Sequence, residues 1–226
     1  LLYPATTLDL SAATYSAGTV TGGSATHVAG VARLAIGASG TCAYTASYTS
    51  APRATIALPP LREAWKWRVE ARLASIGSGG SGGNIWYATV GVENTTGTVG
   101  GPQLRVAFDG RPDLCRHSDA AQVVTGAAAA VAIDGTGWVA IEADGGMLAF
   151  FYGIGSATPP TSWTQVWCDR LFASLGITQP TAGGGQSAPT PMARVFVALE
   201  RTIAGSAASA TVDIGPVRAI NTGSPS

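Results

Sequence analysis

The nine residues Trp65-Lys66-Trp67-Arg68-Val69-Glu70-Ala71-Arg72-Leu73 alternate without a break. Trp65, Trp67, Val69, Ala71 and Leu73 occupy every second place, and Lys66, Arg68, Glu70 and Arg72 fill the places between. Successive side chains of an extended chain point to opposite faces, so this pattern predicts a strand with one buried and one polar face. Outward from it the same period recurs. After the Gly/Ser run 77–83, residues 85–93 carry Trp86, Ala88, Val90 and Val92 on one side. Leu104, Val106 and Phe108 continue the pattern to an Asp109-Gly110 turn. Val139, Ile141 and Ala143 alternate up to Asp144-Gly145-Gly146, and Leu148, Phe150 and Tyr152 alternate after it, which predicts a hairpin. Val195, Val197 and Leu199 mark one late strand, and Val212 and Ile214 another. Residues 28–36 and 42–49 read as strands with Ser/Thr-rich faces. One short helix is expected over 165–175, ended by Gly176.

Composition agrees with short strands joined by many turns. The 226 residues include 30 Gly and 13 Pro, and 17 aromatic residues supply bulk for a core. The length suits one β-domain covering 1–226. Basic and acidic side chains balance at 13 each, and only 12% of residues are charged. Without a basic excess there is nothing to release counterions from a phosphate backbone, so nucleic acid is a poor partner. A polybasic membrane patch is excluded on the same ground. Mean hydropathy is +0.25, yet the long charge-free stretches are broken by Gly and Pro, and none offers about 20 consecutive apolar residues. The first ten residues lack the basic start and apolar run of a signal peptide. Cys42, Cys115 and Cys168 are widely spaced with no Cys-x-x-Cys, which argues against structural zinc. Three packed thiols is the simpler reading; one disulfide and a free thiol is the other.

Three segments carry a resemblance to a known family: "WKWRVEARL" (65–73), "GWVAIEADGGMLAFFYGIG" (137–155), and the closing pair "ARVFVALE" (193–200) and "ATVDIGPVRAI" (210–220). Together they resemble the concanavalin A-like lectin/glucanase jelly roll, a fold shared with laminin-G domains and of the kind found in bacteriophage virion proteins. The resemblance implies an all-β, two-sheet antiparallel sandwich with one or two short helices. Many members bind saccharides, and related modules sit on phage fibres and spikes. The implied role is therefore a non-catalytic module of a virion or extracellular protein that binds a surface glycan and forms homo-oligomers. A purely structural virion subunit is the alternative, and a polysaccharide lyase or glycoside hydrolase of the same fold is a third reading.

Carboxylates lean against catalysis. Glycoside hydrolysis uses two carboxyl groups about 5 Å apart, or about 6.5–9.5 Å apart, flanking one bond. The five glutamates are Glu63, Glu70, Glu93, Glu142 and Glu200, and the Glu-x-Asp-x-(x)-Glu strand of the glucanase branch is absent. Glu93 and Glu200 are the pair that neighbouring strands could join, and otherwise read as strand-end carboxylates in solvent. Arg68-Val69-Glu70-Ala71-Arg72 resembles the Arg-x-Glu-x-Arg strand of some alginate lyases, but their Gln-(Ile/Val)-His and Tyr-rich elements are missing. Alternation alone explains it as a solvated ionic face. His27 and His117 are the two histidines; His117, in "DLCRHSD", reads as part of a polar loop, and no Gly-x-Ser-x-Gly elbow exists. No cofactor is expected. Ca²⁺ is common in the resembled fold, and Asp109, Asp113, Asp134 and Asp144 sit in turns, but none shows an EF-hand or legume-lectin Asp-rich pattern, so no metal site is expected.

Aromatic rings give the candidate ligand site. Sugars stack their C–H faces on Trp or Tyr while polar groups orient the hydroxyls. Trp65, Trp67 and Trp86 fall on apolar faces and belong to the core. Tyr87 and Trp138 fall on the opposite faces of their strands, and Trp163 follows Pro159-Pro160 in a loop. These three, with Glu93 and Arg105 as polar neighbours, are the expected ligand-binding residues. Otherwise they would pad a second core or a subunit contact.

Overall fold

The computed structural model of the chain describes residues 4–37, 50–59, 66–79, 86–93, 100–107, 112–118, 121–127, 137–144, 147–154, 157–170, 193–201 and 209–220. Fifteen strands are described: β1 (Ala5–Thr7), β2 (Thr14–Ser16), β3 (Gly23–Val28), β4 (Val31–Ile36), β5 (Arg53–Ala57), β6 (Lys66–Gly79), β7 (Trp86–Glu93), β8 (Gly100–Ala107), β9 (Pro112–Ser118), β10 (Ala121–Ala127), β11 (Gly137–Asp144), β12 (Met147–Gly153), β13 (Thr164–Arg170), β14 (Arg194–Arg201) and β15 (Ser209–Ile220). They form two antiparallel sheets. The first runs β13-β12-β11-β6-β15-β4-β3, with β1 added along β15, and the second runs β10-β9-β8-β7-β14-β5-β2.

Alternation along each strand explains how the sheets meet. Trp67, Val69, Ala71 and Leu73 of β6 join Val139, Ile141 and Ala143 of β11, and Val212, Ile214 and Val217 of β15. From the second sheet, Trp86, Ala88, Val90 and Val92 of β7 join Leu104 and Val106 of β8, and Val195, Val197 and Leu199 of β14. These residues make one continuous core between the layers, so the even positions of β6 and β11 face away from it. The two-sheet antiparallel sandwich expected from the sequence is the fold observed.

Four details differ from the sequence reading. Residues 164–170 are strand β13, not the start of a helix, and 171–175 lie outside the described residues. Cross-strand pairing overrides the weak helical period there: Phe150 lies opposite Trp167 and Phe151 opposite Gln165, across a register shift. The helical element described in full is a 3₁₀ turn, Leu10–Ala12, whose Asp9 carboxylate accepts from Ser11 N–H at 2.9 Å. The expected strand 28–36 is divided by a turn, because Val28 pairs with Val31 across Ala29-Gly30. "DLCRHSD", read as a loop, contributes to β9, with His117 opposite Gln122. The expected strand 42–49 and the Asp109-Gly110 turn lie outside the described residues. The Asp144-Gly145-Gly146 hairpin is borne out, with Asp144 opposite Met147.

The β3–β4 turn carries a correctable defect. Ala29 has φ 47° and Gly30 φ 84°, and a two-residue hairpin loop with both φ positive favours Asn-Gly. Alanine at positive φ is strained, because its Cβ crowds the carbonyl oxygen. His27 Nε2 accepts the Gly30 N–H at 3.2 Å, which fixes the turn. Ala29→Asn is expected to stabilise the protein by roughly 0.5–1 kcal/mol, raising Tm by about 2 °C in a thermal melt.

An exposed cross-strand pair nearby gives acid sensitivity. Arg33 Nε and Nη2 each donate to Asp213 at 2.8 Å. These hydrogen bonds hold the Asp213 carboxyl below its ordinary 3.8, while partial burial opposes them. With the folded pKa depressed, this contribution is complete above the ordinary carboxylate range and is lost as pH falls through the folded value. Arg33→Gln is expected to make the unfolding midpoint less dependent on pH below about 4, as acid-titrated urea melts would show.

Candidate functional site

On the outer face of the first sheet, the alternation of β6 places Arg68, Glu70 and Arg72 side by side. Register sets Arg68 opposite Glu142 of β11, and Glu70 opposite Arg218 of β15. Arg68 Nε donates to Glu70 Oε1 at 2.9 Å, and its Nη1 donates to Glu142 Oε2 at 2.7 Å. Arg218 Nη1 lies 3.6 Å from Glu70 Oε2, too long for a hydrogen bond but within ion-pair range. The result is a ladder of alternating charge over three neighbouring strands.

This face is not the solvated one expected. Glu70 is only 4% exposed. The segment 157–163 returns over the face: a Cβ added to Gly153 would fall on the Pro160 ring, so only glycine lets the chain approach here. Trp163 ends that segment with its ring centroid 4.4 Å from the Arg68 guanidinium carbon, and Phe151 of β12 lies 4.9 Å from the same carbon. A guanidinium between two aromatic faces is a cation–π arrangement. Half-buried Trp163, Phe151, Arg68 and Glu142 therefore form a pre-ordered aromatic and ionic patch.

The five residues expected to bind a ligand do not converge. Trp138 lies on this face, opposite Arg72 and Gly153, but it is 0% exposed. A ring with no open face cannot stack on a sugar, so Trp138 is corrected to a packing residue of a second layer. Trp163 keeps an exposed part. Tyr87 and Glu93 belong to β7, on the outer face of the second sheet, and Arg105 belongs to the neighbouring β8. The whole core separates them from Trp163, so sequence position alone could not reveal that two faces were involved. Tyr87 and Glu93 are also buried, and Arg105 is placed opposite Thr89 and Asp113 by register.

The second sheet's outer face has its own polar pairs. Arg194 Nη2 lies 3.1 Å from Glu93 Oε1, and Thr89 Oγ1 donates to Glu200 Oε1 at 2.9 Å. Phe196 and Ala198 of β14 pack there with Ala51. Glu93 and Glu200 are buried rather than solvated strand ends. Glu93 lies opposite Arg194, while Glu200 lies opposite Tyr87, six residues along β7. At about 3.3 Å per residue their backbone positions are roughly 20 Å apart, and Thr89, which holds the Glu200 carboxylate, is still about 13 Å along the strand from Glu93, too far for the pair to flank one glycosidic bond. Phe151, Glu142 and Arg218 were missed as site residues, and Arg68, weighed with Glu70 and Arg72 for a lyase reading, was set aside as part of a solvated ionic face, although strand period already put Arg68 and Glu142 on an outer face.

Among the described residues, no three His, Cys, Asp or Glu side chains gather to hold a metal ion. Asp144 pairs loosely with Lys66 at 3.7 Å, and Asp113 lies in β9; Asp109 and Asp134 lie outside the described residues.

No protein-family model matches the chain, and no curated protein matches it in sequence. Solved structures do match it in fold. A functionally unknown protein from Saccharomyces cerevisiae has a TM-score of 0.52 at 11% identity, over 96% of this chain and 99% of that one. The CBM2 module of Lactobacillus casei BL23 phage J-1 evolved Dit has a TM-score of 0.51 at 10% identity, over 100% of both chains. The GH43 BlXynB protein from Bacillus licheniformis has a TM-score of 0.50 at 15% identity, over 84% of this chain and 33% of that one. At such identities the likeness is one of fold. The two-layer antiparallel sheet order, the core between the layers and these matches together show a jelly-roll sandwich, consistent with the concanavalin A-like fold that the sequence resembles.

Proposed function

We propose that this chain is a non-catalytic jelly-roll module that binds a surface glycan, within a virion spike, fibre or decoration protein. The observation that carries the reading is the Trp163 ring, partly exposed and held over Arg68 beside Phe151 and Glu142. An ordered ring flanked by charged groups matches how proteins seat a sugar, with stacking for affinity and polar groups for orientation. The end-to-end fold match with a phage Dit module named CBM2 supports both the glycan and the virion setting. The separation of Glu93 and Glu200 along the sheet supports binding without hydrolysis by that pair. Sparse charge also suits homo-oligomeric contacts, where apolar and hydroxyl surfaces lose water at little cost.

The test is retention of the purified chain on a panel of bacterial capsule and plant polysaccharides, with reducing and unsaturated ends assayed in the same wells. Retention without products is expected. Trp163→Ala should weaken it by about tenfold, the loss of one stacking platform. Release of products would overturn the non-catalytic reading. No retention on any polymer would favour a purely structural subunit.

A further inference from the structure

The outermost strands of an open sheet expose N–H and C=O groups that could pair with another chain, and such edges are commonly guarded by a bulge, a proline, a charge or short length. Most described edges here have a guard. β13 meets β12 across a register shift, β10 meets β9 across another, and β1 and β2 are each three residues long. β3 has none of these. Its sequence GSATHV contains no Lys, Arg, Asp, Glu or Pro, and it pairs with β4 over six consecutive residues without a shift. Ser24, Thr26 and His27 are exposed. The turn fixes which backbone groups of β3 are open. Val28 and Val31 flank the two-residue Ala29-Gly30 loop, so they form a hydrogen-bonded pair, and such pairs recur at every second residue of an antiparallel ladder. Gly22, six residues back, keeps that phase by accepting the Gly37 N–H at 2.9 Å. Ala25 and His27, at the alternate positions, therefore point both backbone groups away from β4. Gly23 shares their phase, but its N–H is already donated to the Val20 carbonyl at 3.0 Å.

We infer that β3 pairs antiparallel with β3 of a second copy of this chain, Thr26 facing Thr26 across a two-fold axis, so that the first sheet runs through both molecules. In that register Ala25 N–H donates to the second copy's His27 carbonyl, whose own N–H donates back to the Ala25 carbonyl, and the axis repeats the exchange. A slip of register sets His27 against Gly23, whose N–H is taken, or Ala25 against the Ala29 turn. No like charges meet, and Thr opposite Thr is a favourable cross-strand pair. A foreign strand finds no charge or pocket on these small side chains to select it, whereas a second copy is complementary by symmetry. One strand pair buries less than the roughly 1,200 Å² of a stable interface, so the contact is weak alone and strengthens where copies are already tethered in an assembly. The inference rests on the homo-oligomeric part of the reading above, and not on glycan binding.

Sedimentation velocity of the full chain from about 10 µM to about 1 mM covers the range expected of so small a contact. A shift from monomer to dimer is expected, without growth past two, because a two-fold contact closes on itself. Thr26→Lys and Thr26→Glu each put like charges on the axis, and each should weaken dimerisation by at least about tenfold. An equimolar mixture of the two should recover the dimer, since Lys then faces Glu, which also shows that both variants fold. Ala25→Pro removes an outward N–H and spares every β3–β4 hydrogen bond, so it should abolish the dimer with an unchanged circular dichroism spectrum. Thr158→Lys, at an exposed site on segment 157–163, should dimerise like the parent. An equal loss there would mean general charge repulsion and overturn the inference. A dimer that survives both Thr26 variants would overturn the β3 contact while leaving homo-oligomers standing. A monomer across the whole range would overturn both.

Discussion

Replacing Trp138 by alanine should lower the unfolding free energy by about 3–5 kcal/mol, the usual cost of emptying a large buried site. Trp138 is among the largest side chains with essentially no exposed surface. Its strand neighbours are Arg72 on one side and Gly153 on the other, and Gly153 lies directly under Pro160. Neither the glycine nor the proline can move in to fill an indole-sized void, so the cavity persists. At roughly 2–4 °C per kcal/mol for a chain of this size, Tm should fall by roughly 10 °C. Urea melts of the variant beside Trp163→Ala make the comparison informative. A half-exposed ring in a loop should cost much less, and an equally small cost at Trp138 would show that its face is open to ligands after all.

Removing the Arg68 charge should be comparably severe. Arg68→Met keeps an aliphatic stem but leaves Glu70 buried, with Arg218 its remaining ion-pair partner at 3.6 Å. Breaking a buried pair from one side costs about 3–5 kcal/mol, because an uncompensated charge is left out of water. The double variant Arg68→Met/Glu70→Leu should recover most of that loss, since a buried pair replaced by apolar groups is often neutral. The single and double variants, measured together in urea, separate the worth of the pair from the penalty of an orphan charge. If both melt like the parent, the ladder is as wet as an ordinary surface pair. The exposed Arg33–Asp213 pair supplies that reference, where loss of the arginine at neutral pH should cost about 1 kcal/mol at most.

Much of the sandwich was legible because β6, β7, β11 and β14 each turn an apolar side chain at every second position into the core between the sheets. A one-residue slip would turn those apolar groups out of the core and bring the polar ones into it, so the pattern fixes the face of each strand. The β11–β12 hairpin was legible for the same reason, sharpened by a turn that only a few residues can form. Strand β13 was not. Its apolar residues fit a weak helical period equally well, and what makes it a strand is the open edge of β12, a partner that local sequence cannot display. The Ala29-Gly30 turn was hidden because alanine gives no signal for positive φ.

The candidate site shows the same division more sharply. Alternation by itself determined that Arg68, Glu70, Tyr87 and Trp138 face away from the core, and composition determined that no basic surface awaits a phosphate backbone. Only the tertiary structure decided which outward faces are shared and which are covered. Tyr87 and Trp163 lie on opposite sides of the sandwich because strand order, not sequence separation, assigns strands to sheets. Trp138 is buried where segment 157–163 folds back across Gly153, the residue opposite it, and Glu70 is buried between Arg68 and Arg218 of two neighbouring strands. Facing outward is a local property of an extended backbone, whereas exposure depends on whatever else the chain brings to the same place.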